Sequence, residues 1–340
     1  MTSVANVDIC CGLSWGDEAK GKIVTELLKK NKYNFVCRWS GGSNAGHTVY
    51  IKSNKYHTHI IPSGVFYGVC SIIGPDCYLN IEDFMNEIAY LNSHGFDTSV
   101  VKISPRTHII SEEHKEEDLK KYKEKQGTTG KGIAPCARDK YGRVGRLFKD
   151  IIEDNNLLKS YLWDENLYGD ILCEGAQGFW LDINYGNYPY ITSSITLPYS
   201  ACSLGFPPQR IRNIYGAAKI YDTRVGIDPD FPHSLLEDET LNQIALVGNE
   251  FGTTTGRARK VNWLDVDRLV RAINISGCNN IIISKTDVLE KVGKFKILNN
   301  DIEYRNLEEL KKEIKEKLLP NCPLLKRIIY SNSPESVEDL

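Results

Sequence analysis

The chain has 340 residues, of which 41% are hydrophobic and 25% are charged, and its formal net charge is −2. This composition suits a globular protein with one large α/β domain or two smaller ones. The near-neutral charge gives no field for non-specific nucleic-acid binding, and no apolar run approaches the ~20 residues of a membrane-spanning helix. The start of the sequence lacks the basic segment and long apolar run of a signal peptide, so we expect a cytoplasmic protein that binds neither nucleic acid nor membrane.

The ten cysteines are scattered along the sequence, and none forms a CxxC pair. Several lie in apolar runs that are typical of strands, as Cys37 and Cys173 do. We therefore expect free, buried thiols in a reducing compartment, in preference to disulfides or a zinc site.

A glycine-punctuated turn over 11–22 follows the first apolar run, and an apolar-periodic helix follows the turn. Strand, turn and helix in this order present backbone N–H groups to phosphate. The turn is not a Walker A loop, because Ile23 stands where that loop has a hydroxyl. The turn carries two carboxylates, Asp17 and Glu18, either of which could hold Mg²⁺ or accept a proton, and its lysines Lys20 and Lys22 could neutralise phosphate oxygens. A solvated, charged connection between strand and helix would also fit.

Apolar runs and apolar periodicity predict strands that alternate with helices. The predicted strands, with their turns, are 4–11, 35–39, 58–63, 70–75, 100–105, 170–178, 211–219, 280–287 and 327–334, and the predicted helices are 23–30, 81–94, 112–126, 262–274 and 299–317. Polar loops follow the strands' carboxyl ends, which is the pattern of a parallel α/β sheet with its site along that edge. No linker or repeat marks a boundary, so the sequence predicts a single domain over 1–340.

Three loops in the first half suit ligand binding. The glycine-rich loop over 40–47 has three glycines and ends in His47, which is either structural or an acid or oxyanion stabiliser beside a phosphate. The threonine loop over 127–135 offers two threonines and a lysine, which is typical of anion binding. Gln177 follows a strand, where an amide could read the O and N–H of a heterocycle together.

Three runs in the second half of the sequence also suit ligand binding. The run over 188–194 offers hydroxyls to a phosphate. The run over 252–259 has three threonines and two arginines two residues apart, which suits bidentate carboxylate recognition. Lys285 and Asp287 lie at the end of a predicted buried strand. They could recognise a guanine base, or they could form a salt bridge at the strand end.

Eight motifs in one order give the sequence its strongest signal. They are the runs over 15–22, 41–48, 127–130, 174–178, 188–194, 223–226, 254–257 and 285–287. The first resembles the signature WGDEGKGK with one change. Together, over nearly the whole chain, they resemble the adenylosuccinate synthetase family.

The resemblance implies a large, mostly parallel central sheet flanked by helices, a P-loop-NTPase-like synthetase fold with subdomain excursions. It implies a ligase that joins L-aspartate to C6 of IMP through a 6-phosphoryl intermediate, driven by GTP with Mg²⁺. It further implies a homodimer in which Arg143, or alternatively Arg146, reaches the neighbouring subunit's site.

The family's residue roles carry over by motif position. Catalytic roles fall to Asp17, Lys20 and His47. The purine nucleotide would contact Ser14, Asn44, Thr128, Thr129, Arg143, Gln177, Thr192 and Arg257. The substrate aspartate would contact Thr253, Thr254, Thr255, Arg257 and Arg259. The nucleoside triphosphate would contact Gly16, Gly21, Lys22, Gly46, His47, Thr48, Arg259, Lys285, Asp287 and Ser331. Asp17 and the Gly46 carbonyl would hold Mg²⁺.

Some positions depart from the family pattern. Ser14 replaces a glutamine, Ala19 replaces a glycine, and the run over 195–200 is altered. These departures suggest a changed nucleotide site. A viral branch joins aspartate to dGMP, with ATP, dATP or GTP as donor, and would work in a host cytoplasm. That branch loses the catalytic aspartate, whereas Asp17 is retained here, which favours IMP.

Two further classes of protein share part of the pattern. A guanine-nucleotide switch would also have glycine-rich turns and a guanine reader, but it would not need the threonines and arginines of 252–259. A catalytically inactive homologue would not need Asp17 and His47 together. The ligase therefore explains more of the motifs than either class does.

Overall fold

The computed structural model describes residues 3–153, 155–251, 256, 258–338 and 340. In chain order the strands are β1 (Val4–Gly12), β2 (Phe35–Arg38), β3 (Gly41–Gly42), β4 (His47–Ile51), β5 (Asn54–Thr58), β6 (Cys70–Ile73), β7 (Cys77–Leu79), β8 (Val101–Ile103), β9 (His108–Ile109), β10 (Gly169–Glu174), β11 (Ile211–Lys219), β12 (Tyr221–Arg224), β13 (Lys260–Trp263), β14 (Asn280–Ser284) and β15 (Arg327–Tyr330).

The α-helices are α1 (Lys20–Lys30), α2 (Ile81–Ser93), α3 (Glu112–Lys121), α4 (Lys123–Gln126), α5 (Ile133–Gly142), α6 (Asn156–Lys159), α7 (Glu239–Val247), α8 (Val266–Ser276), α9 (Thr286–Val292) and α10 (Leu307–Asn321). Short 3₁₀ turns join several of these elements.

Eight strands form the central sheet in the order β15-β14-β11-β1-β10-β2-β6-β8, and every neighbouring pair is parallel. The middle strands are buried on both faces, which explains why they read as continuous apolar runs. The predicted α/β fold with a mostly parallel central sheet is confirmed. The prediction of a single domain over 1–340 stays a prediction.

This strand order brings distant loops together. Strands β2, β10 and β1 are neighbours, so the turns that follow Arg38, Glu174 and Gly12 leave the same edge of the sheet side by side. The turn after Glu174 stands more than a hundred residues from the other two in the sequence, and the topology makes all three walls of one cavity. The location predicted for the site therefore follows from the sheet order.

Some predicted elements have different bounds. Of the strand predicted over 58–63, only Thr58 lies in a strand, as the last residue of β5. The N–H groups of His59, Ile60 and Ile61 instead bind the Glu87 carboxylate at 2.8 to 3.1 Å and leave no strand ladder there. The antiparallel hairpin of β4 and β5 was not predicted.

Two helices begin later than predicted. Helix α8 begins after Asp265, whose side chain accepts the Arg268 N–H at 3.0 Å, because residues 260–263 pair with β12. Helix α10 begins after Asn306, which caps it by accepting the Glu309 N–H at 2.9 Å.

The ten cysteines are all free and most are buried, as predicted. Among the described helices, none has the length and apolar character needed to cross a membrane.

Ala19 marks the start of α1 with a left-handed backbone, φ 66° and ψ 38°. Because the Cβ atom makes this conformation unfavourable, we expect Ala19→Gly to raise the free energy of unfolding by about 1 kcal/mol. Ala89→Gly, the same change at an exposed position inside α2, is the matched control and should cost about 1 kcal/mol. Urea unfolding measures both. A loss of stability in Ala19→Gly equal to that of the control would contradict this account of the turn.

Candidate active site

A cavity of about 190 Å³ opens at the carboxyl edge of the sheet. Ten of the residues expected at the site line it: Gly16, Asp17, Lys20, Asn44, Gly46, His47, Thr128, Thr129, Gln177 and Thr192. The wall also includes residues that were not expected at the site, among them Trp15, Asp118, Tyr190, Arg224 and Val225. The motifs that the sequence separates therefore meet in one place.

A buried carboxylate shapes the turn after β1. One oxygen of Glu18 accepts the N–H groups of Ser14 at 3.1 Å and Gly16 at 2.8 Å, and the other contacts Lys20 Nζ at 2.6 Å. Glu18 is only 1% exposed. A Cβ at Gly178 would lie 2.5 Å from the same carboxylate, so glycine is required where the next loop crosses the turn. Sequence reasoning counted Glu18 as one of two carboxylates that could hold metal or take a proton, and it did not predict that Glu18 shapes the turn.

Asp17 faces the cavity and is ion-paired. Arg259 Nε lies 3.0 Å from Asp17 Oδ2, while its Nη1 lies 2.5 Å from Glu250 Oε2. Glu250 is buried and also contacts Lys219 Nζ at 2.9 Å and the Tyr221 hydroxyl at 2.8 Å. Burial raises the pKa of Glu250, but the charges of Lys219 and Arg259 outweigh it and hold the pKa at about 2. Glu250 therefore anchors Arg259 beside Asp17.

His47 is held by a second buried carboxylate. Its Nδ1 contacts Glu174 Oε1, and Glu174 also accepts the Ser63 N–H at 2.7 Å and the Ser63 hydroxyl at 2.8 Å. Arg38 Nη1 lies 3.5 Å from the same ring nitrogen. Burial, followed by the charge of Arg38, lowers the pKa of His47 to about 4 although Glu174 opposes this shift.

The imidazole is consequently neutral at pH 7, with its Nδ1 proton directed to Glu174. The opposite nitrogen, Nε2, is buried and has no hydrogen-bond partner in the described part of the chain. It is the ring atom left for a ligand in the cavity.

The amide of Gln177 and the threonine loop both contribute to the cavity wall. Gln177 Nε2 donates to Asn44 Oδ1 at 3.2 Å, and its Oε1 is buried without a partner among the described residues. Thr128 donates its hydroxyl to Asp118 at 2.7 Å, and Asp118 also accepts the Gly132 N–H at 2.8 Å. The Thr128 hydroxyl is thus used to shape the loop.

Several expected residues lie off this cavity. Lys22 Nζ contacts the Ser331 hydroxyl and the Ser333 carbonyl, each at 2.8 Å, and burial together with the nearby Lys285 lowers its pKa to about 8. Ser14 is also turned away, since its hydroxyl donates to Asp222 at 3.3 Å. Seven more of the expected residues do not line the cavity: Gly21, Thr48, Arg143, Arg259, Lys285, Asp287 and Ser331.

The Lys22 contacts bring the predicted triphosphate residues Lys285, Asp287 and Ser331 into one neighbourhood. Four further predictions, Thr253, Thr254, Thr255 and Arg257, lie outside the described residues. Burial raises the pKa of Asp222, which supports the underside of the turn, to about 7.

The buried His47 should make stability depend on pH. Its folded pKa of about 4 lies below its ordinary value of 6.5, so only the unfolded chain takes up the proton between these values and stability falls as the pH drops. Between pH 7 and 5 we expect wild type to lose about 2 kcal/mol more unfolding free energy than His47→Asn. Urea unfolding at both pH values measures the difference. An equal loss in both proteins would refute it, and His233→Asn, at an exposed position, should behave as wild type.

Known proteins resemble the chain along its whole length. The family model described as adenylosuccinate synthetase matches residues 9–167 and 158–318. The adenylosuccinate synthetase of Shouchella clausii is 35% identical over 100% of this chain and 89% of its own. That of Helicobacter hepaticus is 36% identical over 85% of this chain and 81% of its own.

Two solved structures share the fold. Fully ligated adenylosuccinate synthetase from Plasmodium falciparum superposes with a TM-score of 0.80 at 27% identity, covering 97% of this chain and 98% of its own. The succinoaminodeoxyadenylate synthetase of cyanophage S-2L, bound to dGMP and dATP, gives a TM-score of 0.76 at 18% identity, covering 98% and 94%. At that identity the second likeness concerns the fold alone. From the family match and the close relatives, the chain is an enzyme of the ligase class and belongs to the adenylosuccinate synthetase family.

Proposed function

We propose that this enzyme joins L-aspartate to C6 of IMP, with GTP as the phosphoryl donor, through a 6-phosphoryl intermediate. The observation that carries the proposal is that Asp17 and His47 line one cavity together with the Gln177 amide. A carboxylate base, a histidine and a group that can read a purine are what the two-step reaction requires of the protein.

In the first step the Asp17 carboxylate takes the N1 proton of IMP, and O6 becomes nucleophilic. O6 then attacks the γ-phosphorus of GTP, so the O6–P bond forms and GDP leaves with the electrons of the broken P–O bond. Lys20 lies in the cavity wall, where its ammonium can contact the transferring group. In the second step the aspartate amine attacks C6 and the C–N bond forms. The C6–O6 bond breaks, phosphate leaves with O6 and the electrons of that bond, and the departing phosphate takes the proton that the amine loses.

His47 supports the phosphoryl group through Nε2. The neutral ring fits the free enzyme, in which Arg38 lies close behind it. Phosphoryl oxygens at Nε2 favour the protonated ring, since an adjacent anion raises the pKa of an imidazole. Glu174 then faces an imidazolium, and the proton on Nε2 can be donated to the phosphoryl oxygens.

Mg²⁺ would neutralise charge on the triphosphate, and we assign it to Asp17 and the Gly46 carbonyl. Mg²⁺ keeps several waters and takes only one or two carboxylates plus substrate phosphates. A site with one partly exposed carboxylate fits that preference, and the described residues hold no group of three or more candidate metal-binding side chains.

We assign the substrate aspartate to Arg259 and to residues 253–255 and 257. Arg259 keeps one guanidinium edge on Glu250 and the other on Asp17. An incoming carboxylate can replace Asp17 on this arginine, which frees Asp17 to act as the base.

A dGMP-specific ligase, using ATP, dATP or GTP, is the second candidate. Its support is the changed surroundings of the turn, where Ser14 donates to Asp222. The altered run over 195–200 does not line the cavity, and its Leu197 packs in the main hydrophobic core. The run can therefore affect the site only through the residues that lie between it and the cavity. The retained Asp17, able to accept the N1 proton, makes IMP the leading candidate.

The direct test offers IMP or dGMP with aspartate, Mg²⁺ and GTP or ATP, and measures phosphate release. We expect release that requires IMP, aspartate and GTP together. Release with dGMP alone as acceptor would establish the second candidate, and GTP hydrolysis without aspartate would overturn both.

Asp17→Asn provides the control for the chemistry. It keeps the shape of the side chain and removes the base, so turnover should fall about a thousandfold while the melting temperature stays near that of wild type. Turnover near the wild-type rate would reject the role of Asp17.

We also propose that the enzyme works in the cytoplasm as a homodimer in which Arg143 enters the partner's site. Arg143 ends α5 in a left-handed conformation with φ 62°, and its side chain has no hydrogen bond or ion pair within the described ranges. Tyr141 and Val144 beside it are 71% and 76% exposed, and Tyr199, 56% exposed, lies near Tyr141. An exposed apolar patch around a free arginine suits a subunit contact.

Mixing two inactive variants tests the crossed arginine. In a dimer of Asp17→Asn with Arg143→Leu, one of the two sites has both its own Asp17 and the partner's Arg143. Random exchange at equal amounts should therefore restore about a quarter of the wild-type sites. No recovery after confirmed subunit exchange would place Arg143 outside the partner's site.

A further inference from the structure

Three chain segments meet at the carboxylate of Asp83, outside the cavity. Asp83 is the third residue of α2, and its backbone N–H donates to the helix cap Asn80 at 2.9 Å. Its Oδ2 accepts the Ser43 hydroxyl at 2.7 Å and contacts Lys131 Nζ at 3.2 Å. Asp83 therefore ties a residue of the glycine-rich loop to a residue of the threonine loop.

Each tied residue lies beside residues that form the cavity wall. Ser43, which is 4% exposed, precedes Asn44, Ala45 and Gly46 in the wall. Lys131 follows Thr128 and Thr129, which also line the wall. Asp83, Ser43 and Lys131 themselves do not line the cavity.

The two contacts of Asp83 differ in their exposure to solvent. The Asp83 side chain is 24% exposed and Lys131 is 34% exposed, so the ion pair is partly screened by solvent. The Ser43 hydrogen bond is to an ionised acceptor and is made by a buried hydroxyl, which strengthens it. Partial burial raises the pKa of Asp83, but the Ser43 and Lys131 contacts lower it overall, so the carboxylate is charged at pH 7.

Asp118 already fixes the threonine loop internally, through Thr128 and Gly132. That contact does not reach the glycine-rich loop. The two loops also meet directly, since a Cβ at Gly42 would lie 2.7 Å from Ile133 Cδ1. Asp83 adds to that apolar contact a carboxylate that binds a polar side chain of each loop.

We propose that Asp83 is a positioning residue that couples the glycine-rich loop to the threonine loop and so sets the width of the purine-nucleotide site. This rests on the proposed function, because Asn44, Thr128 and Thr129 are assigned to that nucleotide. Two loops held to a common carboxylate lose less freedom when the nucleotide binds. Asp83 thus acts on nucleotide binding without touching the nucleotide.

The kinetic test compares Asp83→Ala with Glu82→Ala. Glu82 is the preceding residue in the same first turn, and its nearest ion pair is a 3.9 Å contact with Lys115. We expect Asp83→Ala to raise the KM for IMP about tenfold with kcat within about twofold, and Glu82→Ala to leave both within about twofold. Asp83→Asn, which can still accept from Ser43, should give an intermediate KM and covers the case in which the alanine variant fails to fold.

Hydrogen exchange tests the coupling without any substrate. Asp83→Ala should speed amide exchange in both 41–46 and 127–132. Ser43→Ala and Lys131→Met should each raise the KM for IMP in wild type and add nothing in the Asp83→Ala background. The proposal is overturned if the Asp83→Ala and Glu82→Ala variants have equal KM values for IMP, or if amide exchange becomes faster in one loop only. It is also overturned if Ser43→Ala and Lys131→Met raise the KM as much in the Asp83→Ala background as in wild type. If wild type does not use IMP, the proposed function fails while the exchange result still decides the role of Asp83.

Discussion

The site depends on one buried carboxylate. Glu18 gathers the N–H groups of Ser14 and Gly16 and the ammonium of Lys20, and it forces the chain to turn sharply between β1 and α1. That turn places Asp17 with φ 61° toward the cavity. Without Glu18 the buried N–H groups and the buried Lys20 would have no partners there, which is costly in a low-dielectric environment.

The same principle recurs around the cavity. Glu174 holds His47, Glu250 holds Arg259 beside Asp17, and Asp118 holds the threonine loop. Buried carboxylates with several donors have few alternative geometries, so they fix the side chains in front of them. The reacting groups are thereby positioned before any ligand arrives, which is the condition for electrostatic catalysis.

Sequence patterns predicted the sheet because its strands are buried on both faces, and they predicted the loops after β1, β2 and β10 because polar and glycine-rich residues follow an apolar run there. The grouping of Asp17, His47, Gln177 and Thr192 in one site came from the resemblance to the family and not from local patterns, and all four line the cavity. The hairpin of β4 and β5 was missed because Lys52 and Ser53, with φ 49° and 64°, form its two-residue turn in place of the usual Asn-Gly.

The supporting carboxylates were harder to foresee. Glu174 stands 127 residues from His47, and Asp83 stands 48 residues from Lys131, so their pairing follows from strand order and helix placement. Local periodicity carries no information on such partners. Helix starts at Asp265 and Asn306 were misplaced for a simpler reason, since the capping residue overrides the apolar pattern on either side of it.

The shared position of Arg259 has a thermodynamic consequence. One edge of the guanidinium is bonded to Asp17. A ligand that breaks this bond therefore changes the binding free energy of any other ligand that needs an unpaired Asp17. By linkage, the effect is reciprocal, and a ligand at Asp17 strengthens anion binding at Arg259 by the same factor. Under the proposed function, aspartate and the purine nucleotide would then bind cooperatively, through the single ion pair between Arg259 and Asp17.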